Sequence, residues 1–537
     1  MRLSPTLGLV ALATLVASPT WADGLGTVED GVPSANLKGI TTSLTLIDPD
    51  FRTSLMATRT DSLENPSGVI TNYGMLSDGT LTEADQNTYV VLQDNPGGPS
   101  VNFDYGRHFL FQGHENGSPK AYITRINLDV PRGDAHRITL LTPVDPATGN
   151  TGFGAIDGST YNPFTNTLLF TEEAGANGGV IQANVTWPAQ ARTLDAFFGK
   201  GGFEGIHADK HGNIYFIEDT GGATSPTTSP INLKNGKQPN SFVFRYVPNN
   251  RNRIEDGGKL QALQVTVNGT PIVFGGTSAA ARDADISSDA QLKLHTPGTH
   301  FPIKWVTVHT SNPGDTAGFD ANAAAKAASA TPFKRPENMA WLPGSDFQTF
   351  FFDPTGDTDS VAGENPFLQA RGSYGSIFRV DLRTDDDRDD RRGSAPTDDG
   401  RISLFFLGDH EHNSFDNLTF INDRQLLAAE DRGDTLHTQL NTLDSVWAFN
   451  VNNGKSIRFI ALGRDATSIV HGEDNEPTGV YVSNGSNQKA GLQGTEESLD
   501  GAVRGFFTQQ HGDNNTFEFS FAHRERRESS VPVVVSP

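Results

Sequence analysis

The chain has 537 residues, with 64 acids against 41 Lys and Arg, a formal charge of −23 and no cysteine. That balance excludes a nucleic-acid partner, because a phosphate backbone needs a basic surface. The missing thiols exclude a disulfide-stapled scaffold, and the length is ample for a large core that needs no staples.

Residues 1–22 read as a secretory leader. Arg2 gives the charged start, residues 7–17 the apolar stretch, and Thr20-Trp21-Ala22 a small-x-small cleavage site. These features predict an exported bacterial protein, periplasmic or extracellular, and no later stretch is apolar for long enough to span a membrane. Residues 23–100 read as N-terminal strands and loops packed on the repeating region.

From 101 to 523 one phrase recurs: a short apolar strand runs into one or two carboxylates, usually followed by Gly. It stands as FLFQGHENG at 109–117, LLFTEEAG at 168–175, IYFIEDTGG at 214–222, FFFDPTGD at 350–357 and LLAAEDRGD at 426–434, with a weaker sixth copy, VYVSNGS, at 480–486. A strand and turn often precede it, as in GAIDGSTYNPFTN at 154–166 and FEGIHADKHGN at 203–213. An alternating strand comes after it, as in AYITRINLDV at 121–130 and SVWAFNV at 445–451, the pattern of half-buried antiparallel pairing. Six such units, in a chain with 56 Gly and 30 Pro, predict an all-β fold, a six-bladed β-propeller. The spacing predicts an insertion at about 249–330, with strands at 262–267 and 304–309 and an Ala-rich helix at 321–330. The charged run 383–401 reads as a solvated loop; it loosely resembles a calcium loop but lacks the EF-hand glycine and terminal Glu spacing. Residues 524–537 read as a flexible tail.

In a propeller, matching ends of successive blades converge on the axis, so a repeated acid carries more meaning than a scattered one. Grouped carboxylates suit divalent cations, whereas any one of these acids alone reads as surface charge. Four short motifs stand out: Arg335-Pro336-Glu337, Gly202-Phe203-Glu204-Gly205, Phe415-Asp416-Asn417-Leu418 and Glu476-Pro477-Thr478-Gly479. His207, His211, His410, His412, His471 and His511 are loop histidines, and Asp409-His410-Glu411-His412 has the composition of a zinc or iron site as well as that of a polar loop. No serine nucleophile elbow, Walker loop or dinucleotide fingerprint occurs.

Taken in order, these motifs resemble the PhoX-type alkaline phosphatases, secreted six-bladed propellers that hydrolyse phosphomonoesters. The family's early HE is matched by His114-Glu115, its Cys-Glu-Glu by Thr171-Glu172-Glu173, and its acid-bearing turn before a strand ending in two acids by Glu204 and Glu218-Asp219. Its RPE is matched at Arg335 to Glu337, its PDN-L at Phe415 to Leu418, and its E-x-TG at Glu476 to Gly479, over residues 105 to 487. The resemblance implies calcium and iron held by carboxylates in the channel, with Glu115, Glu172, Glu173, Glu204, Glu218, Asp219, Glu337, Asp416, Glu430 and Glu476 as the candidate ligands. Arg335 would clamp the phosphate of a small phosphorylated substrate, on a protein expected to be a monomer. The family's iron site uses a cysteine thiolate, and Thr171 stands in its place here. That departure opens three outcomes: a calcium-only site, another metal, or loss of phosphatase activity. A calcium-dependent lactonase or esterase, and a non-catalytic binding propeller, are the alternatives.

Overall fold

The computed structural model describes residues 24–35, 42–117, 119–383, 398–471, 474–483, 503–522 and 533–535. The leader at 1–22, most of the charged run and most of the C-terminal stretch lie outside them.

Six antiparallel four-stranded blades form the molecule. From the inside outward, blade 1 is Glu83–Val91, His108–Glu115, Tyr122–Asn127 and Ile138–Leu140, and blade 2 is Ile156–Asn162, Thr167–Glu172, Val180–Asn184 and Ala191–Thr193. Blade 3 is Phe203–Ala208, Ile214–Glu218, Val243–Pro248 and Gly258–Val267, and blade 4 is Pro336–Trp341, Thr349–Pro354, Ser376–Leu382 and Gly400–Leu407. Blade 5 is Phe415–Phe420, Gln425–Glu430, Ser445–Asn450 and Ser456–Ala461. Blade 6 takes Glu476–Val482, Gly505–Gln510 and Asn515–Phe521 from the C-terminal part and its outer strand, Phe51–Ala57, from the N-terminal part. The innermost strands pack side by side in sequence, the sixth against the first, which closes the ring.

Most of what holds blade to blade is apolar. Six buried clusters each span one junction: Leu169 with Phe203, Ile217 with Met339, Phe351 with Phe415, Leu427 with Phe507, Tyr89 with Phe506 and Phe111 with Phe170 are the pairs of clustered residues that mark them. Successive apolar residues of a second strand go to opposite sides, Ile214 and Phe216 to one cluster and Tyr215 and Ile217 to the next, so both faces of a blade feed a junction. Each buried Phe or Leu contributes about 1.5–3 kcal/mol of transfer free energy. This explains how a chain without disulfides closes a large ring.

The structure shifts several expected boundaries. The repeats begin before residue 101, because Glu83–Val91 is the innermost strand of blade 1. Its start, Glu-Ala-Asp-Gln-Asn, reads as loop because channel-facing residues are polar. The span 249–330 is only partly an insertion. Gly258–Val267 completes blade 3, and His300–Ser311 pairs both with it and with Gly400–Leu407, fusing blades 3 and 4 into one sheet. The Ala-rich stretch forms a helix, Ala321–Ala327, capped by Asp320. Within the expected tail, Val533–Val534 pairs with Leu46–Ile47, which itself extends blade 5. The weak sixth copy of the phrase is an innermost strand, whereas the other five are second strands; the second strand of blade 6 is Gly505–Gln510.

No helix among the described residues is long and apolar enough to cross a membrane.

Candidate metal centre

The recurring phrase marks the second strand of a blade, and its acid closes that strand. In an antiparallel pair the end of the second strand lies beside the start of the innermost one. Acids from both strands therefore gather at one mouth of the channel.

The innermost strands carry their acids at a repeated irregularity. In blade 1, Ala84 faces His114 and Asn87 faces Gln112, so Asp85 and Gln86 together oppose Gly113. The same two-against-one bulge places Asp157-Gly158, Glu204-Gly205, Glu337-Asn338 and Asp416-Asn417 in blades 2 to 5. A bulge re-aims a side chain, and here its first residue is the acid every time. In blade 6 the bulge falls at Gly479-Val480, three residues past Glu476. Glycine is needed where strands approach most closely: a Cβ on Gly205 would lie 2.5 Å from Asn338 Oδ1, and one on Gly158 2.3 Å from the carbonyl of Glu204.

Three sets of carboxylates result, each with ligand atoms within 4.8 Å of one another: Asp85, Glu115 and Asp157; Asp157, Glu173 and Glu204; Glu204, Glu337 and Asp416. They share Asp157 and Glu204, so they form one continuous row across five blades. Burial, then mutual repulsion, pushes Asp85, Glu115, Asp157, Glu204 and Asp416 well above the usual carboxylate range. The same causes raise Glu173 to about 9 and Glu337 to about 7. Glu476 is raised too, by burial and then by Asp431, Asp416 and Asp85. Among the described residues Asp85 Oδ1 and Asp157 Oδ1 are buried with no hydrogen-bond partner.

Arg335 stands at the rim in the left-handed region, φ 51°, with its side chain 19% exposed. Its Nε and Nη2 donate to Asp219 Oδ2 at 2.9 and 2.7 Å, Nη2 lies 3.3 Å from Glu337 Oε1, and Nη1 donates to Thr358 Oγ1 at 3.2 Å.

Of the ten candidate ligands, Glu115, Glu173, Glu204, Glu337 and Asp416 come together in the row, and Glu476 lies beside it. Asp219 is held by Arg335. Glu172, Glu218 and Glu430 do not join. They close their strands one residue before Glu173, Asp219 and Asp431, and successive side chains point to opposite faces. Their carboxylates accept from backbone instead: Glu172 from Gly154, Glu218 from Phe242, and Glu430 from Asn413 and Ser445. Glu218 also accepts from Asn322, and Glu430 pairs with buried Arg432. The sequence reading missed Asp85 and Asp157. A signal was present, an acid followed by Gly, Asn or Gln at the head of a strand, repeated five times.

Thr171 is buried, and its hydroxyl donates to the carbonyls of Glu204 at 2.6 Å and Gly158 at 3.2 Å. Thr355 does the same between blades 4 and 5, to the carbonyl of Phe415 at 2.6 Å. Both are inter-blade ties. Of the histidines, His412 is occupied by Asp409 and Ser456, and burial lowers His207 to about 4. His511 approaches the acid beside the row, with Nε2 3.8 Å from Glu476 and 3.8 Å from Glu83.

Residues 230–489 match the family model described as alkaline phosphatase PhoX. Among solved structures, PhoX of Pseudomonas fluorescens, in complex with vanadate, a transition-state analogue, is similar over 92% of this chain and 98% of that one, at 12% identity and a TM-score of 0.54. A putative gluconolactonase is similar at 10% identity and a TM-score of 0.34, over 88% of this chain and 93% of that one. TolB of Acinetobacter baumannii is similar at 9% identity and 0.29, over 83% and 65%. No curated protein matches the sequence.

Proposed function

We propose that the chain is a member of the PhoX alkaline phosphatase family, whose model matches residues 230–489, and that it is an exported phosphomonoesterase working at a carboxylate-held metal cluster in the channel mouth. The observation that carries this reading is the row of buried acids. Seven carboxyl groups form three overlapping sets, each within 4.8 Å, and two of their oxygens have no partner among the described residues. Buried like charges this close are kept together only by protons or cations.

The donor set fits calcium, a hard ion that takes oxygen ligands, several of them carboxylates. Asp85, Glu115, Asp157, Glu173, Glu204, Glu337 and Asp416 would hold it. A thiolate-held iron centre does not fit, because Thr171 spends its hydroxyl on two backbone carbonyls and the chain has no cysteine. Bound calcium would neutralise charge on the transferring phosphoryl group and acidify a water molecule. The protein's own residues do the rest. Asp219 fixes the guanidinium of Arg335 through two hydrogen bonds, and the remaining Nη1 proton of that fixed group would reach a phosphate oxygen at the rim. Without cations, the row of carboxylates would repel a phosphate dianion. Substrate binding and cation binding are thereby coupled.

Mass spectrometry of the mature protein should find calcium, and a chromogenic phosphomonoester should be cleaved in a chelator-sensitive way. Glu337→Ala and Arg335→Ala should each lower kcat/KM by more than about a hundredfold. Full activity in both variants would remove this site from consideration. Calcium together with lactone or aryl-ester cleavage, and no phosphatase activity, would favour the lactonase alternative.

A further inference from the structure

Arg335 is the cation that the sequence nominates for phosphate, yet it is already neutralised by Asp219 and Glu337. A second cation stands beside it. The Lys237 Nζ donates to Thr358 Oγ1 at 3.0 Å, the same oxygen that accepts from Arg335 Nη1 at 3.2 Å. Among the described residues no carboxylate lies within ion-pair distance of Lys237 Nζ, although Asp357, Asp219 and Glu337 all contribute to the local field.

The position of Lys237 is built. Its backbone N–H donates to Asp357 Oδ1 at 2.9 Å, and Asp357 is itself pinned by the buried ammonium of Lys334 at 2.9 Å. Two residues before it, Asn235 donates to both oxygens of Asp359 at 3.0 Å. The loop after blade 3's second strand is thus stitched to the loop after blade 4's second strand at three successive residues, 357 to 359. A half-buried ammonium held this firmly, beside a guanidinium and without a counter-ion of its own, is electrostatically costly until an anion arrives. Desolvation and the neighbouring Arg335 lower its proton affinity, which agrees with that geometry.

Donor counting gives the anion its shape. Arg335 uses Nε, both Nη2 protons and one Nη1 proton, and Lys237 uses one of its three. Three N–H groups on adjacent cations are left for one acceptor group. We propose that Lys237 and Arg335 together receive the doubly charged terminal phosphate of a monoester, and that Lys237 makes the site prefer monoesters to singly charged diesters. This inference rests on the phosphatase reading. The two cations share the second negative charge that a diester lacks.

The test uses the calcium-loaded protein with Lys237→Gln and Lys237→Arg. Calorimetry measures inorganic phosphate binding, and steady-state kinetics compare p-nitrophenyl phosphate with bis(p-nitrophenyl) phosphate. Lys237→Gln should weaken phosphate binding and raise the monoester KM about tenfold to a hundredfold, the scale of one charge-assisted hydrogen bond. The diester KM should move by less than about threefold, and Lys237→Arg should restore most of the loss. Calcium content should match the wild type and the unfolding temperature should not fall, because the ammonium makes one hydrogen bond among the described residues and its burial is costly. Wild-type phosphate affinity in Lys237→Gln, or equal losses on both esters, overturns the assignment while leaving the phosphatase reading intact. A wild-type protein that neither binds phosphate nor cleaves the monoester overturns both.

Discussion

At the residue scale, one position separates a ligand from a lock. Glu172 and Glu173 are neighbours in sequence, but Glu172 accepts from Gly154 while Glu173 enters the row with Asp157 and Glu204. Nothing in the pair Glu-Glu announces which is which. Strand alternation decides it, and alternation is known only once the strand's end is known. Asp157 shows the opposite failure. It lies inside a stretch recognised as a strand and turn, but its bulge is a pairing property that a single strand does not display. Because Asp157 and Glu204 each serve two ligand groups, Asp157→Asn should cost at least one bound calcium and lower kcat/KM by more than about a hundredfold. Glu172→Gln should leave the calcium count unchanged. Elemental analysis of the two purified variants checks both outcomes. In chelator, Asp157→Asn should show a smaller fall in unfolding temperature with rising pH than the wild type, since it removes one carboxyl that binds its proton more tightly when folded.

At the element scale, the strand-into-acid phrase locates second strands and thereby counts blades. Five of its six copies do this; the sixth begins on an innermost strand, Glu476–Val482, because blade 6 takes its second strand from Gly505–Gln510, which ends in Gln rather than in an acid. The acids that close blades 3 and 5 secure the loops behind the strands. Glu430 holds Asn413 N, Ser445 N and the guanidinium of Arg432 at 2.5 Å, all of it buried. Glu430→Ala would leave Arg432 buried without its anion, a loss of about 3–5 kcal/mol. Thr171→Val would strand the carbonyls of Glu204 and Gly158 between blades 2 and 3, a loss of about 1–3 kcal/mol. Chemical denaturation of the calcium-loaded variants measures both. If the threonine instead served as a metal ligand, Thr171→Val would lower the calcium content, which the inter-blade tie does not predict.

At the scale of the whole molecule, the ring is closed by chain segments far apart in sequence, Phe51–Ala57 against Asn515–Phe521, and that pairing is invisible to any local pattern. The acid row sits at the hub where all six blades meet, so its charge state acts on the whole ring. Burial raises Glu173 from 4.5 to about 9 and Glu337 to about 7, and it raises Asp85, Asp157, Glu204 and Asp416 as well. A carboxyl with a raised native value binds its proton more tightly folded than unfolded. The native state then holds more protons than the unfolded one between pH 4.5 and about 9, and stability falls as pH rises across that window. Bound calcium would replace those protons, and at a hundred times its Kd one ion would add about 2.7 kcal/mol. Thermal unfolding in chelator should therefore show a melting temperature that drops steadily from pH 5 to pH 9. Saturating calcium should flatten that slope, and the gap between the two curves should be widest at pH 9. Superimposable curves at every pH would mean that the row neither binds calcium nor carries its protons into the folded state, and the metal-dependent reading of the hub would fall with it.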